Sequence, residues 1–131
     1  MRQHRSFIIP GKPVPKGSRV AGISKTGVRY NREANSRVGP YMKLLKMSLQ
    51  AQHAGGPLRP PYSVHCIFYF TEPKEPSWPR TGDVDKFARA ALDALTQAGV
   101  IEDDRHIVEL SAVKRYGNPR TEIHVAEIDS W

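Results

Sequence analysis

A chain containing TGDVDKFARAALDALTQAGVIEDD, residues 81–104, has little choice but to build one amphipathic helix with fixed ends. Val84, Phe87, Ala88, Ala91, Leu92, Leu95 and Ala98 repeat at i, i+3, i+4, i+7, the spacing of a single buried stripe. Asp83 stands where an N-cap belongs. Gly99 stands where a left-handed residue ends a helix, with Val100 placed to meet Leu95, the arrangement of a Schellman ending.

The same stretch is rich in carboxylates. Asp83 and Asp85 bracket the helix start, and Glu102, Asp103 and Asp104 follow its end. About ten helical residues separate the groups by roughly 15 Å, so one site takes in both only if the chain turns back or a neighbouring strand carries one group alongside the other. A returning strand with Asp104 at its beginning is one way to do so. Three converging carboxylates would make a hard, oxygen-only site for Mg²⁺ or Mn²⁺, ions suited to phosphate chemistry. The plainer reading is that Asp83 and Asp85 complement the helix dipole, while Asp85, Arg89 and Asp93 form a surface ladder at i, i+4, i+8.

The motif resembles the RusA family of Holliday-junction resolvases, whose signature runs D-x-D-N, a Lys four residues after the second Asp, D-A-L-x-x-A-G and a terminal D-D. The matching residues are Asp83, Asp85, Asp93-Ala94-Leu95, Ala98-Gly99 and Asp103-Asp104. The resemblance implies that Asp83, Asp85 and Asp104 are catalytic and bind the metal, Mg²⁺ or possibly Mn²⁺, with Asp103 a candidate fourth ligand. Two positions depart from the signature: Lys86 replaces the Asn, and Arg89 replaces the Lys. Arginine keeps the positive charge but does not release a proton at neutral pH. Stabilising developing charge is the catalytic role left to Arg89, with Lys86 beside it.

Charge is distributed unevenly about a net +7. Residues 1–60 hold twelve Lys or Arg against the single acid Glu33, whereas the remainder holds eight bases against twelve acids. A basic front and an acidic rear suit a protein that grips a polyanion with one surface and holds cations with another. The segment GKPVPKGSRV has too many Pro and Gly residues for regular structure, so Lys12, Lys16 and Arg19 are expected on an extended loop that follows a phosphate backbone. Its G-x-P-V-P-K run also resembles the start of many RusA-like sequences. A flexible basic linker is the alternative.

Five histidines without metal-ligand spacing give no zinc signal. The single Cys66 lies in an apolar strand and reads as a small core residue. The longest early apolar run, Phe7 to Ile9, is too short for a signal peptide or membrane span, so a cytoplasmic protein with no membrane association is expected.

Around the central helix the pattern gives a strand at Ser6 to Pro10, a hairpin arm near Gly27 to Tyr30 and a helix from Ser36 or Pro40 to about His53. Tyr62 to Thr71 reads as a central strand with Val64, Cys66, Phe68 and Phe70 on one face. His106 to Tyr116 and Thr121 to Ile128 read as a C-terminal hairpin turned by Gly117-Asn118-Pro119, with Val108, Leu110 and Ala112 on one face. Lys114 on the first of these strands falls where RusA-like sequences often carry a Lys. Trp78, in the loop EPKEPSWPRTG, is expected to pack over the core. Beside Arg80 it equally suits stacking on an unpaired base.

The expectation is one α+β domain over residues 1–131, a mixed β-sheet covered by two helices. By resemblance it is a Mg²⁺-dependent endodeoxyribonuclease that resolves four-way DNA junctions by paired symmetric nicks, acting on branched DNA as a homodimer. Lys12, Lys16, Arg19, Lys86 and Lys114 would contact DNA. The alternatives are a catalytically inactive branched-DNA-binding module and a basic structural or assembly protein.

Overall fold

The computed structural model describes residues 2–130 except 18, 24, 28, 34–36 and 76, and for residues 19–23 and 29–33 it describes the backbone path. Strands β1 (His4–Pro10), β4 (Tyr62–Phe70), β5 (Ile107–Tyr116) and β6 (Arg120–Glu127) form a mixed sheet in the order β1-β6-β4-β5. Helices α1 (Val38–Gln52) and α2 (Val84–Gln97) pack against each other and cover the sheet. A separate antiparallel pair, β2 (Arg19–Ile23) and β3 (Arg29–Glu33), follows β1. The α+β expectation is met. The hairpin expected near Gly27 is present, though its loop includes 24 and 28, outside the described residues. Arg19 opens β2 instead of continuing the loop, because the Pro and Gly run ends at Gly17 and the chain beyond it can pair.

β4 is central because it alternates cleanly. Tyr62, Val64, Cys66, Phe68 and Phe70 are buried under the helices. Phe7 and Ile9 of β1 and Ile123 and Val125 of β6 extend that face, which Tyr41, Leu45 and Leu49 of α1 and Phe87, Ala91 and Leu95 of α2 cover. α1 starts at Val38, which puts Pro40 in the first turn but past N1; Ser36, the other expected start, lies outside the described residues. On the uncovered face His65 stacks on His124, ring centroids 6.0 Å apart, and His124 shares a hydrogen bond with Ser6.

The C-terminal hairpin is corrected. β5 pairs parallel with β4, and β6 pairs antiparallel with β4 and β1, so β4 lies between the two strands. α2 is the crossover that makes β4 and β5 parallel. The turn then passes over the end of β4, where the Gly117 N–H donates to the Phe70 carbonyl at 2.9 Å. β5 is therefore an edge strand. A bulge places Ile107 opposite Tyr62 and Glu109 opposite Ser63, leaving Val108 unpaired. Val108 and Leu110, read as sharing one face of the strand, are 59% and 48% exposed.

Glu127 holds the end of the sheet. Its carboxylate accepts the N–H groups of Arg59, at 2.6 Å, and Gln3, at 3.0 Å. These bonds, that to Arg59 first, keep its pKa below the ordinary value. No helix among the described residues is long and apolar enough to cross a membrane.

Candidate active site

α2 begins and ends where its sequence indicates, but only its C-terminal end is closed by the expected bonds. At the C-terminus Gly99 takes φ +77. Its N–H donates to Thr96 and that of Val100 to Leu95, both at 3.1 Å, the two bonds of a Schellman motif. At the N-terminus Asp83 is extended, and its carbonyl accepts from Lys86 at 3.0 Å and Phe87 at 3.2 Å. Its side chain makes no capping bond. The carboxylate is 69% exposed and 3.7 Å from Lys86 Nζ. Asp85 is exposed in the first turn.

Two further lysines reach this end. Lys114 of β5 donates to the Gly82 carbonyl at 2.8 Å, and Lys12 lines a cleft of about 150 Å³ with Phe70, Thr71, Thr81 and Pro119. The loop carrying Lys12 is strapped down: the Gly11 N–H donates to Pro119 and the Lys16 N–H to the Lys86 carbonyl, each at 3.2 Å. The Lys16 side chain pairs with Asp93. The Asp85, Arg89, Asp93 ladder is not formed among the described residues, since Asp93 is taken by Lys16 and Arg89 stands exposed with no ion pair. Sequence reading missed the Lys16–Asp93 contact, for which nothing in the spacing gave a signal.

Asp104 lies at the other end. It opens a short 3-10 helix, Asp104–His106, whose first N–H groups are served by Asp103, which accepts from Arg105 N–H at 3.0 Å. That bond chiefly lowers the Asp103 pKa. The Asp104 pKa is raised by partial desolvation, then by its hydrogen bond to Asp103 and repulsion from Asp103 and Asp93. α2 spans 14 residues, about 21 Å. β5 runs back along it from the Asp104 end and brings Lys114, not Asp104, to Gly82.

The structure thus pairs Asp83 with Lys86, sets Lys114 and Lys12 against Gly82 and Thr81 just before Asp83, and brings Asp104 together with Asp103 and Asp93. Exposed carboxylate oxygens are the donor chemistry of Mg²⁺ and Mn²⁺. Among the described residues, though, no three His, Cys, Asp or Glu side chains are close enough to hold one ion. Asp83 and Asp85 stand at the start of α2, and Asp103 and Asp104 follow its end. Trp78 does not pack over the core: it is 72% exposed.

Comparison with protein families decides the affiliation. The family model described as Endodeoxyribonuclease RusA matches residues 10–126. The chain belongs to the RusA family. The match takes in the basic loop, both helices and the whole carboxylate stretch of this RusA-family chain. Membership implies an endonuclease that acts on Holliday junctions. Comparison with curated proteins yields no match.

Proposed function

We propose that this RusA-family protein is a divalent-metal-dependent, structure-specific endodeoxyribonuclease of the cytoplasm that resolves four-way DNA junctions by paired symmetric nicks as a homodimer. The α2 N-terminus carries the reading. Asp83 and Asp85 are presented to solvent, Asp83 making no side-chain capping bond, while Lys86 pairs with Asp83, Lys114 binds the preceding Gly82 carbonyl and Lys12 lines the cleft with Thr81. A basic protein gains little stability from such an arrangement, whereas a phosphodiester needs both parts of it: lysines to hold the phosphate and carboxylates to hold a cation against it.

Asp83, Asp85 and Asp104 are the proposed ligands. A divalent cation held there supplies Lewis-acid polarisation of the scissile phosphate. Lys12, Lys16, Arg19, Lys86 and Lys114 steer and seat the DNA backbone. Arg89, exposed one turn after Asp85, offsets charge that develops on the phosphate. Because Asp104 stands at the far end of α2 from Asp83, two copies complete the site, each lending Asp104 to the other's Asp83 and Asp85. A two-fold pair also matches the symmetry of the two nicks. The exposed apolar residues Leu44 and Met47 of α1, and Val108 beside Pro60 and Pro61, are the candidate seams.

The test is cleavage of a mobile four-way junction beside linear duplex of the same sequence, in Mg²⁺ or EDTA, with Asp85→Asn as control. Paired nicks that require metal and Asp85 support the reading. Junction binding without nicks in Mg²⁺ or Mn²⁺ refutes it in favour of a binding module.

A further inference from the structure

The loop between β4 and α2 holds a tryptophan that the fold does not use. Trp78 is 72% exposed, and the Arg80 guanidinium lies over its ring, 5.4 Å from the centroid. The pair overhangs a cavity of about 260 Å³ whose lining includes Phe70, Tyr116, Thr81 and Glu75. Thr81 also lines the cleft beside Lys12, so the cavity adjoins the proposed phosphate-binding end of α2, two residues from Asp83.

Exposing an indole to water is unfavourable unless something covers it. The surroundings say what kind of group that is. Arg80 and Glu75 carry opposite charges, so the cavity is not a phosphate site. An aromatic wall with one cation, Arg80, and one carboxylate, Glu75, among the lining side chains suits a planar ring with hydrogen-bond donors on its edge. We infer that this cavity receives a single unstacked nucleobase, clamped on Trp78 and Arg80 and read at its exocyclic amino group by Glu75. A base at a branch point costs less to splay out than one inside a duplex, so the subsite helps the enzyme choose branched over linear DNA. The inference rests on the nuclease reading for its biological substrate and on the cavity alone for its chemistry.

Trp78 and Trp131 are the two tryptophans in the sequence, so Trp131→Phe isolates the emission of Trp78. This variant is titrated with a four-way junction, with linear duplex and with the single-stranded octamer of deoxycytidine, while junction nicking is scored in parallel. Junction and octamer are expected to quench Trp78 where duplex does not. In the same background Trp78→Ala weakens junction binding roughly 5- to 150-fold, and Trp78→Phe restores most of the affinity. No quenching by either junction or octamer, or Trp78→Ala within twofold of its parent, overturns the inference. Quenching without nicks upholds the base subsite and refutes the nuclease reading; nicks without quenching do the reverse.

Discussion

Gly82, the residue before Asp83, joins the core to the site, and replacing it with alanine should damage both. Its φ is +69, and an added Cβ would lie 2.8 and 2.9 Å from two atoms of the Phe87 ring and 3.3 Å from Pro15. Phe87 is fully buried against Phe68 and Phe70, with ring centroids 5.4 and 5.3 Å away, so it has no room to yield. The left-handed backbone alone costs an L side chain about 1–2 kcal/mol, and overpacking a filled core adds about 1–3 kcal/mol. Gly82→Ala should therefore lose about 2–5 kcal/mol, a large share of the roughly 5–15 kcal/mol that a small domain has. Gly99 is the control. Its φ is +77, yet nothing lies within 4 Å of an added Cβ, so Gly99→Ala should show the backbone cost alone. Urea midpoints at unchanged m-value give both numbers. If Gly82→Ala costs no more than Gly99→Ala, the close packing of Phe87 beneath the site is wrong. Nicking should fall in Gly82→Ala even at temperatures where it is folded, because the shifted backbone carries Asp83 and the carbonyl that holds Lys114.

Other perturbations read different parts of the account. Glu127 is held below its ordinary pKa of 4.5 by the Arg59 and Gln3 N–H groups, so its contribution is present above about pH 4.5 and is lost as pH falls through the lower folded value. Glu127→Gln should accordingly lower the melting temperature at pH 7 and flatten its fall between pH 5 and 3, roughly the range in which such a carboxylate titrates; an unchanged slope would contradict the staple. Burial pushes the Cys66 thiol up to about 12, and native protein should resist iodoacetamide until denaturant exposes it; rapid labelling without denaturant would place Cys66 outside the core. Lys114→Met should leave stability within about 0.5 kcal/mol. It should also weaken junction binding and reduce the salt slope by about one unit, whereas an unchanged slope would remove Lys114 from the DNA contacts.

How far the sequence discloses this fold depends on whether the controlling interaction is local. The ends of α2 are local, and Asp83 with Gly99 announces them. The alternation of β4 is local too, and Val64, Cys66, Phe68 and Phe70 face the helices as read. Strand pairing is not. Gly117-Asn118-Pro119 looks like a hairpin turn, yet β4 takes both neighbours because α2 must return the chain parallel to it. The same crossover explains Asp104. A strand returning from the helix C-terminus starts at that end, so its first residues stay far from Asp83 and Lys114, several residues on, arrives there. Lys16 meets Asp93 across a separation of 77 residues, which no periodicity encodes. Trp78, which by sequence suits either packing over the core or stacking on a base, stays outside the core, which the aromatic and aliphatic side chains of β4 and the helices fill.

The central claim is that the carboxylates at the two ends of α2 act as one catalytic set shared between two chains. Asp85→Asn and Asp104→Asn variants carrying different tags, co-expressed and purified through both tags, test it on a four-way junction. Each variant alone should be inactive, whereas the mixed dimer, with one site doubly altered and the other intact, should nick a single strand. A mixed dimer as inactive as its parents, beside a wild-type protein that nicks both strands, would place the whole site within one chain and contradict the account.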